Sequence, residues 1–366
     1  MKIEILKDNL EEASQIISRV SNKNLSLPVL SCAVIVATPE RTVLRGTNLE
    51  VSVEIQLKAK VLEEGIIAVP AYTLHQLVST STEQKIILES EDTTLLFSGG
   101  HGTSKLKTLD VSEFPTLPYV KEGQGTSFSL NAKELIRGLK SVSFASMVSG
   151  IRPELSSVYL KLGDGVLTTV ATDSFRLAEI KTPIKSKTHN EPLLIPIRNI
   201  QEIIRILEHK ETVEVRVDEN QITFIADGSY LTSRVIDGAF PDYTAIIPKQ
   251  FSTTITVLRQ EIMNVLRKVS VFTDATGQVE FTISVENKKF SVAASNQQVG
   301  EIYENIDAVI EGDSITLFFN IKYILEVLHV MTADSVHFKF SGPGKPLIVS
   351  EVPEKGFTYL VMPMNK

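Results

Sequence analysis

ITLFFNIKYILEVL, residues 315–328, joins an apolar strand-like run to a helix-like run. Two earlier stretches have the same design, GIIAVPAYTLHQLV at 65–78 and PLLIPIRNIQEIIRIL at 192–207. The residues at the three junctions are Pro70, Pro196 and Asn320. They are separated by 126 and 124 residues, counted from 70 to 196 and from 196 to 320. The chain therefore repeats one strand-to-helix unit three times.

Two further markers repeat with almost the same period. Asn48, Asp173 and Asn296 each follow a strand-like run, and they are 125 and 123 residues apart. Phe114-Pro115 and Phe240-Pro241 form another pair at a distance of 126 residues. Because the three markers are independent of one another, their common period indicates a duplicated domain and not chance similarity.

The period sets the predicted domain organisation. A repeat near 125 residues is far longer than a solenoid unit, and units of this size can each bury a core. We predict three tandem domains over 1–121, 127–248 and 252–366, with joints in KEGQGTS (121–127) and PKQFST (248–253).

The hydrophobic pattern inside each domain predicts an α+β fold. Alternating stretches such as EVSVEIQLKA are typical of antiparallel strands joined by tight turns, whereas apolar residues at helical spacing follow each junction. Each domain is predicted to contain two successive units, and in each unit a strand is followed by a helix and then by further strands. Helices are predicted over 8–20, 72–79, 132–142, 199–208, 258–269 and 321–330. Asp8 or Asn9 is the expected N-cap of the first helix.

Composition describes an ordinary globular protein, with 43% hydrophobic and 22% charged residues. The single cysteine, Cys32, excludes an internal disulfide and any multi-cysteine metal site. No signal-like segment or apolar run of membrane-spanning length is present, so we expect a cytoplasmic protein. The net charge of −7, taken alone, argues against a nucleic-acid binder.

No constellation of catalytic residues is visible, and we predict neither an enzyme nor a cofactor or metal site. The six histidines are scattered, without a metal-ligand motif. The glycine-rich stretches SGGHGTSKL (98–106) and SGPGKP (341–346) run into strands, unlike phosphate-binding loops that open a helix. Gly163-Asp164-Gly165 has the sequence of an Asp-Gly hairpin turn.

The helices carry more basic charge than the rest of the chain. Lys133, Arg137 and Lys140 follow i, i+4, i+7 spacing along one face of a helix, and Arg198 and Arg205 are seven residues apart on another. Two interpretations fit this pattern. The basic residues either lie on ordinary solvated helix faces or form a surface that faces phosphates.

Two apolar features stand out. The chain ends in TYLVMPMNK, although chain ends usually fray. This end either completes a core strand or lines an adaptable pocket, since methionine packs against varied shapes. ATDSFRL (171–177) predicts a strand–turn–strand with an arginine among apolar neighbours.

Taken together, these elements resemble the bacterial replicative sliding clamps, the β subunits of DNA polymerase III. The resemblance spans the chain and rests on LPVL (27–30), TNLE (47–50), VATDSFRL (170–177), VIDGAFPDY (235–243), FNIKYILEVL (319–328) and YLVMPM (359–364).

The resemblance implies a DNA polymerase processivity factor. Two chains would join head to tail in a ring with antiparallel sheets outside and helices inside, around duplex DNA that is not read by sequence. A cleft between domains two and three would bind short linear motifs. Their sources would be the polymerase III α subunit, the clamp loader, other polymerases and repair proteins, with no membrane involved.

The resemblance also assigns residues to three surfaces. The peptide cleft would be lined by Leu155, Thr172, Arg176, Leu177, Pro241, Ile246, Asn320, Tyr323, Leu360, Met362, Pro363 and Met364. The DNA-facing residues would be Lys23, Lys133, Arg137, Lys140, Arg152, Arg198 and Arg205. The dimer-interface candidates are Leu106, Val271 and Phe272.

Some positions depart from the family pattern. Ser174-Phe175 replaces a common Gly-His, Asn365-Lys366 replaces Arg-Leu, and Ala245 stands where a basic residue is frequent. We expect an altered peptide preference from this less cationic rim. The alternatives are a repeat-built scaffold that never encircles DNA and an enzyme with a site at a domain junction.

Overall fold

Six α-helices and 26 strands make up the described part of the chain, residues 1–21, 27–100, 102–184 and 191–365 of a computed structural model. The helices are α1 (Lys7–Val20), α2 (Ala71–Thr80), α3 (Ala132–Val142), α4 (Ile197–Leu207), α5 (Arg259–Val269) and α6 (Ile321–Val330). All six lie where the sequence predicted helices, and α3 and α6 have the predicted ends.

The predicted N-cap of α1 was wrong. Helix α1 begins at Lys7, directly after the first strand, and Leu6 occupies the N-cap position without a side-chain hydrogen bond. The strand-to-helix junction therefore leaves no loop in which Asp8 or Asn9 could act as the cap.

The strands in the first half of the chain are β1 (Lys2–Leu6), β2 (Cys32–Ala37), β3 (Thr42–Thr47), β4 (Val51–Leu57), β5 (Ala59–Glu63), β6 (Gly65–Pro70), β7 (Lys85–Glu91), β8 (Thr94–Ser98), β9 (Thr103–Lys107), β10 (Thr126–Asn131), β11 (Ser157–Gly163), β12 (Val166–Thr172) and β13 (Arg176–Pro183). Those in the second half are β14 (Leu193–Pro196), β15 (Thr212–Val217), β16 (Gln221–Ala226), β17 (Ser229–Arg234), β18 (Thr253–Leu258), β19 (Gln278–Ser284), β20 (Lys289–Asn296), β21 (Gly300–Ile306), β22 (Val309–Gly312), β23 (Ile315–Asn320), β24 (Ser335–Phe340), β25 (Leu347–Val352) and β26 (Phe357–Val361).

These elements form two compact units. Unit 1 comprises Met1–Lys133 with Arg198–Val235, and unit 2 comprises Glu134–Ile197 with Ile236–Lys366. Unit 1 holds a five-stranded sheet, β5-β1-β7-β8-β9, and an eight-stranded sheet, β10-β15-β16-β17-β4-β3-β2-β6. Unit 2 holds a nine-stranded sheet, β14-β11-β12-β13-β26-β25-β24-β18-β22, and a four-stranded sheet, β21-β20-β19-β23.

The middle third of the chain contributes to both units. In unit 1, β17 pairs with β4, so that Tyr230 lies opposite Glu54. In unit 2, β13 pairs with β26, so that Leu177 lies opposite Leu360. Both sheets therefore continue across a predicted domain joint, a feature that hydrophobic periodicity does not reveal because periodicity says nothing about which strands pair.

Each amphipathic helix buries one face. In α4 the buried side chains include Ile200, Ile203, Ile204 and Leu207, at helical spacing. In unit 1, α1 lies close to β3 because Gly46 has no side chain, and a Cβ there would stand only 2.6 Å from Ile17 Cγ2.

The predicted Asp-Gly hairpin is confirmed between β11 and β12. Asp164 has φ of 54° and Gly165 has φ of 73°, the left-handed pair that a two-residue hairpin turn needs. Within the described ranges, no helix combines the length and the apolar character needed to cross a membrane.

Candidate peptide-binding cleft and helix faces

The predicted strand–turn–strand at 171–177 is confirmed in unit 2. Strand β12 ends at Thr172, β13 begins at Arg176, and Ser174 takes a left-handed φ of 79°. The Thr172 hydroxyl donates to the Arg176 carbonyl at 2.6 Å. Asp173 Oδ1 accepts the backbone N–H groups of Phe175 and Arg176, both at 3.0 Å. These bonds therefore fix the backbone from which the Arg176 side chain extends.

Arg176 is a buried cation with a partner on every side. It is only 7% exposed. Its Nε donates to Asp173 Oδ2 at 2.9 Å, Nη1 donates to Glu326 Oε2, and Nη2 donates to the Phe144 carbonyl at 2.7 Å. Its guanidinium carbon lies 4.3 Å from the centre of the Tyr323 ring, within cation–π range.

These partners keep the guanidinium charged. Burial by itself disfavours the charged form of Arg176, but the hydrogen bond to Glu326 and the charges of Glu326 and Asp173 outweigh it. The pKa of Arg176 therefore lies above its ordinary value. Three hydrogen bonds, two of them to carboxylates, hold the Arg176 guanidinium in one orientation.

The C-terminal segment is fixed by the same elements. Leu360 pairs with Leu177 across β26 and β13. Beyond the strand, Met362 N–H donates to the Phe175 carbonyl at 2.8 Å, and Met364 N–H donates to the Phe318 carbonyl at 2.7 Å. The end of the chain thus completes a core strand and continues as an ordered segment. Met362 is 37% exposed, whereas Leu360 is buried.

Helix α6 brings two more predicted residues to this place. Asn320 caps the helix, because its Oδ1 accepts the Lys322 N–H at 3.0 Å. The Tyr323 carbonyl accepts the Tyr359 hydroxyl at 2.9 Å, so α6 is tied to β26 beside Arg176.

The segment after β17 forms a further wall in unit 2. The Tyr243 hydroxyl donates to Glu179 Oε2 at 2.7 Å in a buried contact. The Tyr243 ring packs edge-on against Tyr159 and Phe240, with centroid distances of 6.3 and 6.1 Å. This anchor leaves Ile246, three residues on, 50% exposed.

The structure brings most of the predicted cleft residues together through these contacts. Pro241 lies exposed on the anchored segment, and Pro363 and Met364 are half-buried in the tail. Leu155 is buried, and its N–H donates to the Arg152 carbonyl at 3.0 Å, which closes a turn over 152–155.

Sequence reasoning missed Glu326, Phe144, Glu179 and Tyr243, which position the walls. Glu326 carried a signal, since it is the one acidic residue in the α6 stretch IKYILEVLHV. Glu179 carried another, as a charge inside a buried strand. Neither signal names a partner, because the partners are 150 and 64 residues away.

The predicted stripe on α3 is exposed. Lys133, Arg137 and Lys140 are exposed, whereas Leu135 and Leu139 are buried on the opposite face.

Other basic candidates are paired with acids. The ion pairs are Arg198 with Glu50 at 3.2 Å, Arg205 with Glu202 at 2.6 Å, and Arg152 with Glu154 at 3.2 Å. In each pair the glutamate offsets the positive charge of the arginine. Lys23 lies outside the described residues.

The three interface candidates have different surroundings. Leu106 lies on β9, at the edge of the five-stranded sheet, but its side chain is only 5% exposed. Val271 is 64% exposed, and Phe272 is half-buried. Because its side chain is buried, Leu106 would contribute to a dimer contact only by supporting the backbone edge of β9.

Three family models match the chain in order. They describe the N-terminal, central and C-terminal domains of the DNA polymerase III beta subunit, and they match residues 1–118, 129–242 and 244–365. The chain belongs to the DNA polymerase III beta subunit family. Members of this family are sliding clamps, so the chain is a DNA polymerase processivity factor and not an enzyme.

Individual members of the beta subunit family match this chain over almost their full lengths. The Beta sliding clamp of Synechococcus elongatus is 27% identical over 374 residues, which cover 100% of this chain and 99% of that protein. A sliding clamp from Pseudomonas aeruginosa, solved with griselimycin, superposes with a TM-score of 0.94 at 27% identity, covering 100% of both chains. A clamp from Bacillus subtilis shares the fold, with a TM-score of 0.94 at 24% identity and coverage of 100% and 99%.

Proposed function

We propose that two copies of this chain close head to tail into a ring around duplex DNA in the cytoplasm. In this ring the chain tethers polymerase III, the clamp loader and repair proteins through short linear motifs. Family membership supports the assembly and the partners. The Arg176 cluster in unit 2 supports the position of the motif-binding cleft, because it holds a turn, a helix and the chain end in one fixed arrangement.

The cleft that we propose combines adaptable and rigid walls. Met362, Pro363 and Met364 offer partly exposed apolar surface, and methionine side chains can repack around different peptide anchors. Arg176, Asn320 and the Tyr243-anchored segment supply fixed polar edges. We expect peptide affinity to come from apolar burial and peptide register to come from these edges.

The DNA-facing surface that we propose is weakly basic. Lys133, Arg137 and Lys140 are exposed and can approach phosphates, and the ion pairs of Arg152, Arg198 and Arg205 with nearby acids moderate the charge of this surface. Each phosphate that a protein neutralises strengthens its grip on DNA. A lining with moderated charge therefore suits a protein that slides.

The dimer contact that we propose uses a sheet edge. Strand β9 lies at the edge of the five-stranded sheet in unit 1, and β21 lies at the edge of the four-stranded sheet in unit 2. An edge strand presents unpaired backbone groups to a partner. Leu106 would stabilise one edge from inside, while Val271 and Phe272 would pack beside the other.

Retention on DNA tests the ring. Protein loaded by the clamp loader onto a nicked circular plasmid should stay bound through a high-salt wash, because a closed ring holds DNA topologically. Linearising the plasmid should release it. Equal loss from circular and linear DNA would contradict the ring. Sedimentation provides the control, since the ring requires a dimer of the 40.4 kDa chain.

Removal of the chain end tests the cleft. Deletion of residues 362–366 leaves β26 intact and removes Met362 and Met364, whose N–H groups are bound to the Phe175 and Phe318 carbonyls. We expect peptide binding to be lost while the dimer persists in sedimentation. If dimerisation fails and peptide binding survives, the tail serves assembly, and the cleft assignment is wrong.

A further inference from the structure

Unit 1 contains a cavity of about 350 Å³ on one face of its eight-stranded sheet. The floor is a row of paired residues on neighbouring strands, in which Val34 lies opposite Arg45, Arg45 opposite Glu54, and Glu54 opposite Tyr230. The segment 111–119 crosses above this row and forms the other wall. The volume lies within the range of cavities that bind small ligands or anchor side chains.

The walls of this cavity have a definite chemistry. Ile66 and Tyr119 are 56% and 50% exposed at its rim, and Phe114 lies within it, so an aromatic group would find apolar surface on several sides. Two guanidiniums face a single carboxylate: Arg45 Nε donates to Glu54 Oε2 at 2.6 Å, and Arg41 Nη1 donates to Glu54 Oε1 at 3.3 Å. This polar group therefore carries one excess positive charge.

The corresponding place in unit 2 is filled. The repeat of 125 to 126 residues relates Glu54 to Glu179, Arg45 to Val170 and Leu117 to Tyr243. In unit 2, Tyr243 packs with Val170 and Leu177 in one buried cluster and donates its hydroxyl to Glu179.

In unit 1 the shorter Leu117 side chain lines the cavity instead. The glutamate that Tyr243 engages in unit 2 is held by arginines in unit 1. The cavity thus results from particular side-chain replacements in a repeated framework.

The cavity continues into a second one of about 440 Å³. The two share Ser52, Thr232 and the segment 115–118, and the second is lined by polar residues that include Asn220 and Gln221. A compact ligand would fill only the first cavity, whereas an extended chain can occupy both. The continuity favours a peptide over a small molecule.

We propose that this groove is a second docking site, distinct from the cleft in unit 2, for a partner protein's extended segment that carries an aromatic residue next to an aspartate or glutamate. The aromatic ring enters the cavity between Ile66 and Tyr119. The neighbouring carboxylate pairs with Arg41 and Arg45, and polar residues of the segment lie along the second cavity.

Methyl NMR of the full-length protein with labelled isoleucines tests this assignment. The probe is the peptide Ac-Ser-Phe-Asp-Ser-NH2, and its control is Ac-Ser-Phe-Asn-Ser-NH2. The Ile66 methyl resonance reports on the groove, and that of Ile246 reports on the unit 2 cleft. The aspartate peptide should shift Ile66 saturably and leave Ile246 unchanged. The asparagine peptide should bind about two- to fivefold more weakly, the range for partly exposed ion pairs.

Two variants complete the test. Arg41→Gln changes a half-exposed side chain, so the fold is preserved, and it should abolish the preference for aspartate. Leu117→Tyr imitates unit 2 and should abolish binding of both peptides.

Three results would overturn the proposal. They are the absence of a saturable Ile66 shift at the solubility limit of the peptide, a shift at Ile246 alone, or an aspartate preference that survives Arg41→Gln. Because Ile66 in unit 1 and Ile246 in unit 2 report separately, absence of the Ile66 shift would leave the ring and the unit 2 cleft untouched.

Discussion

The turns TNLEV (47–51) in unit 1 and TDSFR (172–176) in unit 2 have the same backbone structure. Leu49 and Ser174, the third residues, have φ of 73° and 79°. The first threonine donates to the carbonyl of the fifth residue in both turns, at 2.9 and 2.6 Å. The Asx side chain accepts the same two backbone N–H groups in both. The repeat therefore conserves a turn that needs only Thr and Asx.

The two turns differ in the fifth residue, which is Val51 in unit 1 and Arg176 in unit 2. Val51 is a buried apolar side chain, whereas Arg176 joins Asp173, Glu326 and a backbone carbonyl. The aspartate that replaces asparagine in the second turn supplies a charge that the first turn does not need. The shared turn thus sets the backbone, and divergence at one position creates the wall of a site.

Arg176→Val, which gives unit 2 the unit 1 residue, should have the largest effect. It leaves Asp173 and Glu326 without their common cation, and loss of one partner from a buried ion pair costs about 3 kcal/mol in free energy of unfolding. Denaturant unfolding measures this loss. Peptide affinity should fall about tenfold or more, because Arg176 holds the turn and helix α6 in one arrangement and arginine is frequent among binding hot spots.

Arg198→Ala in unit 1 is the matched control. Arg198 is an exposed cation paired with Glu50, so its removal should cost less than about 1 kcal/mol. Equal destabilisation by the two substitutions would contradict the structural role given to the Arg176 cluster.

Tyr243→Phe should have the next largest effect. It leaves the buried Glu179 without the Tyr243 hydroxyl, although Lys181 remains at 3.0 Å, so we expect a loss of about 1–2 kcal/mol. Tyr119→Phe in unit 1 should change stability by less than about 0.5 kcal/mol, because this residue is half exposed. Thermal melting of the pair measures the difference, and equal melting temperatures would show that Tyr243 does not anchor its segment.

Replacement of the first turn residue should give smaller effects. Thr47→Ala and Thr172→Ala each remove one hydroxyl bond to a backbone carbonyl, at about 1 kcal/mol, and Thr47→Ala also removes a bond to the Ser52 hydroxyl at 2.9 Å. Only Thr172→Ala should weaken peptide binding, since only its turn carries Arg176. Isothermal titration with a partner peptide compares the two variants, and equal weakening by both would remove the functional distinction between the turns.

Labelling of Cys32, a fully buried residue of β2, should give the smallest signal of the series and reports on the core of unit 1. Burial raises the pKa of the Cys32 thiol to about 11. The native protein should therefore react slowly with a thiol reagent at pH 8 and fully after denaturation. Because the thiol pKa is higher in the folded state, its contribution to stability is present below the unfolded pKa and is lost as pH rises towards 11. Rapid labelling of the native protein would show that this core opens.

Local patterns in the sequence predicted most of the fold. Apolar spacing placed α3 and α6 at their observed ends, and Asp164-Gly165 gave the hairpin, because these features depend on neighbouring residues. Strand pairing across the predicted joints could not be predicted, since β13 and β26 are joined by side chains and hydrogen bonds between residues more than 170 positions apart.

The candidate site was predicted as a list of residues from family resemblance, not as an arrangement. Periodicity identified 171–177 and the apolar chain end as unusual, but it gave no partner for Arg176. Glu326 and Phe144 become neighbours of Arg176 only through folding. The unit 1 cavity was also beyond prediction, because it depends on the volume that Leu117 leaves open.

The most direct test of the central claim is a methyl NMR titration with a peptide from the polymerase III α subunit that contains its clamp-binding segment. We predict a saturable shift of the Ile246 resonance, no shift of Ile66, and loss of the Ile246 shift in Arg176→Val protein that remains folded. Unchanged binding by the folded Arg176→Val variant, or a response at Ile66 alone, would contradict the claim that divergence in the second turn creates the peptide site.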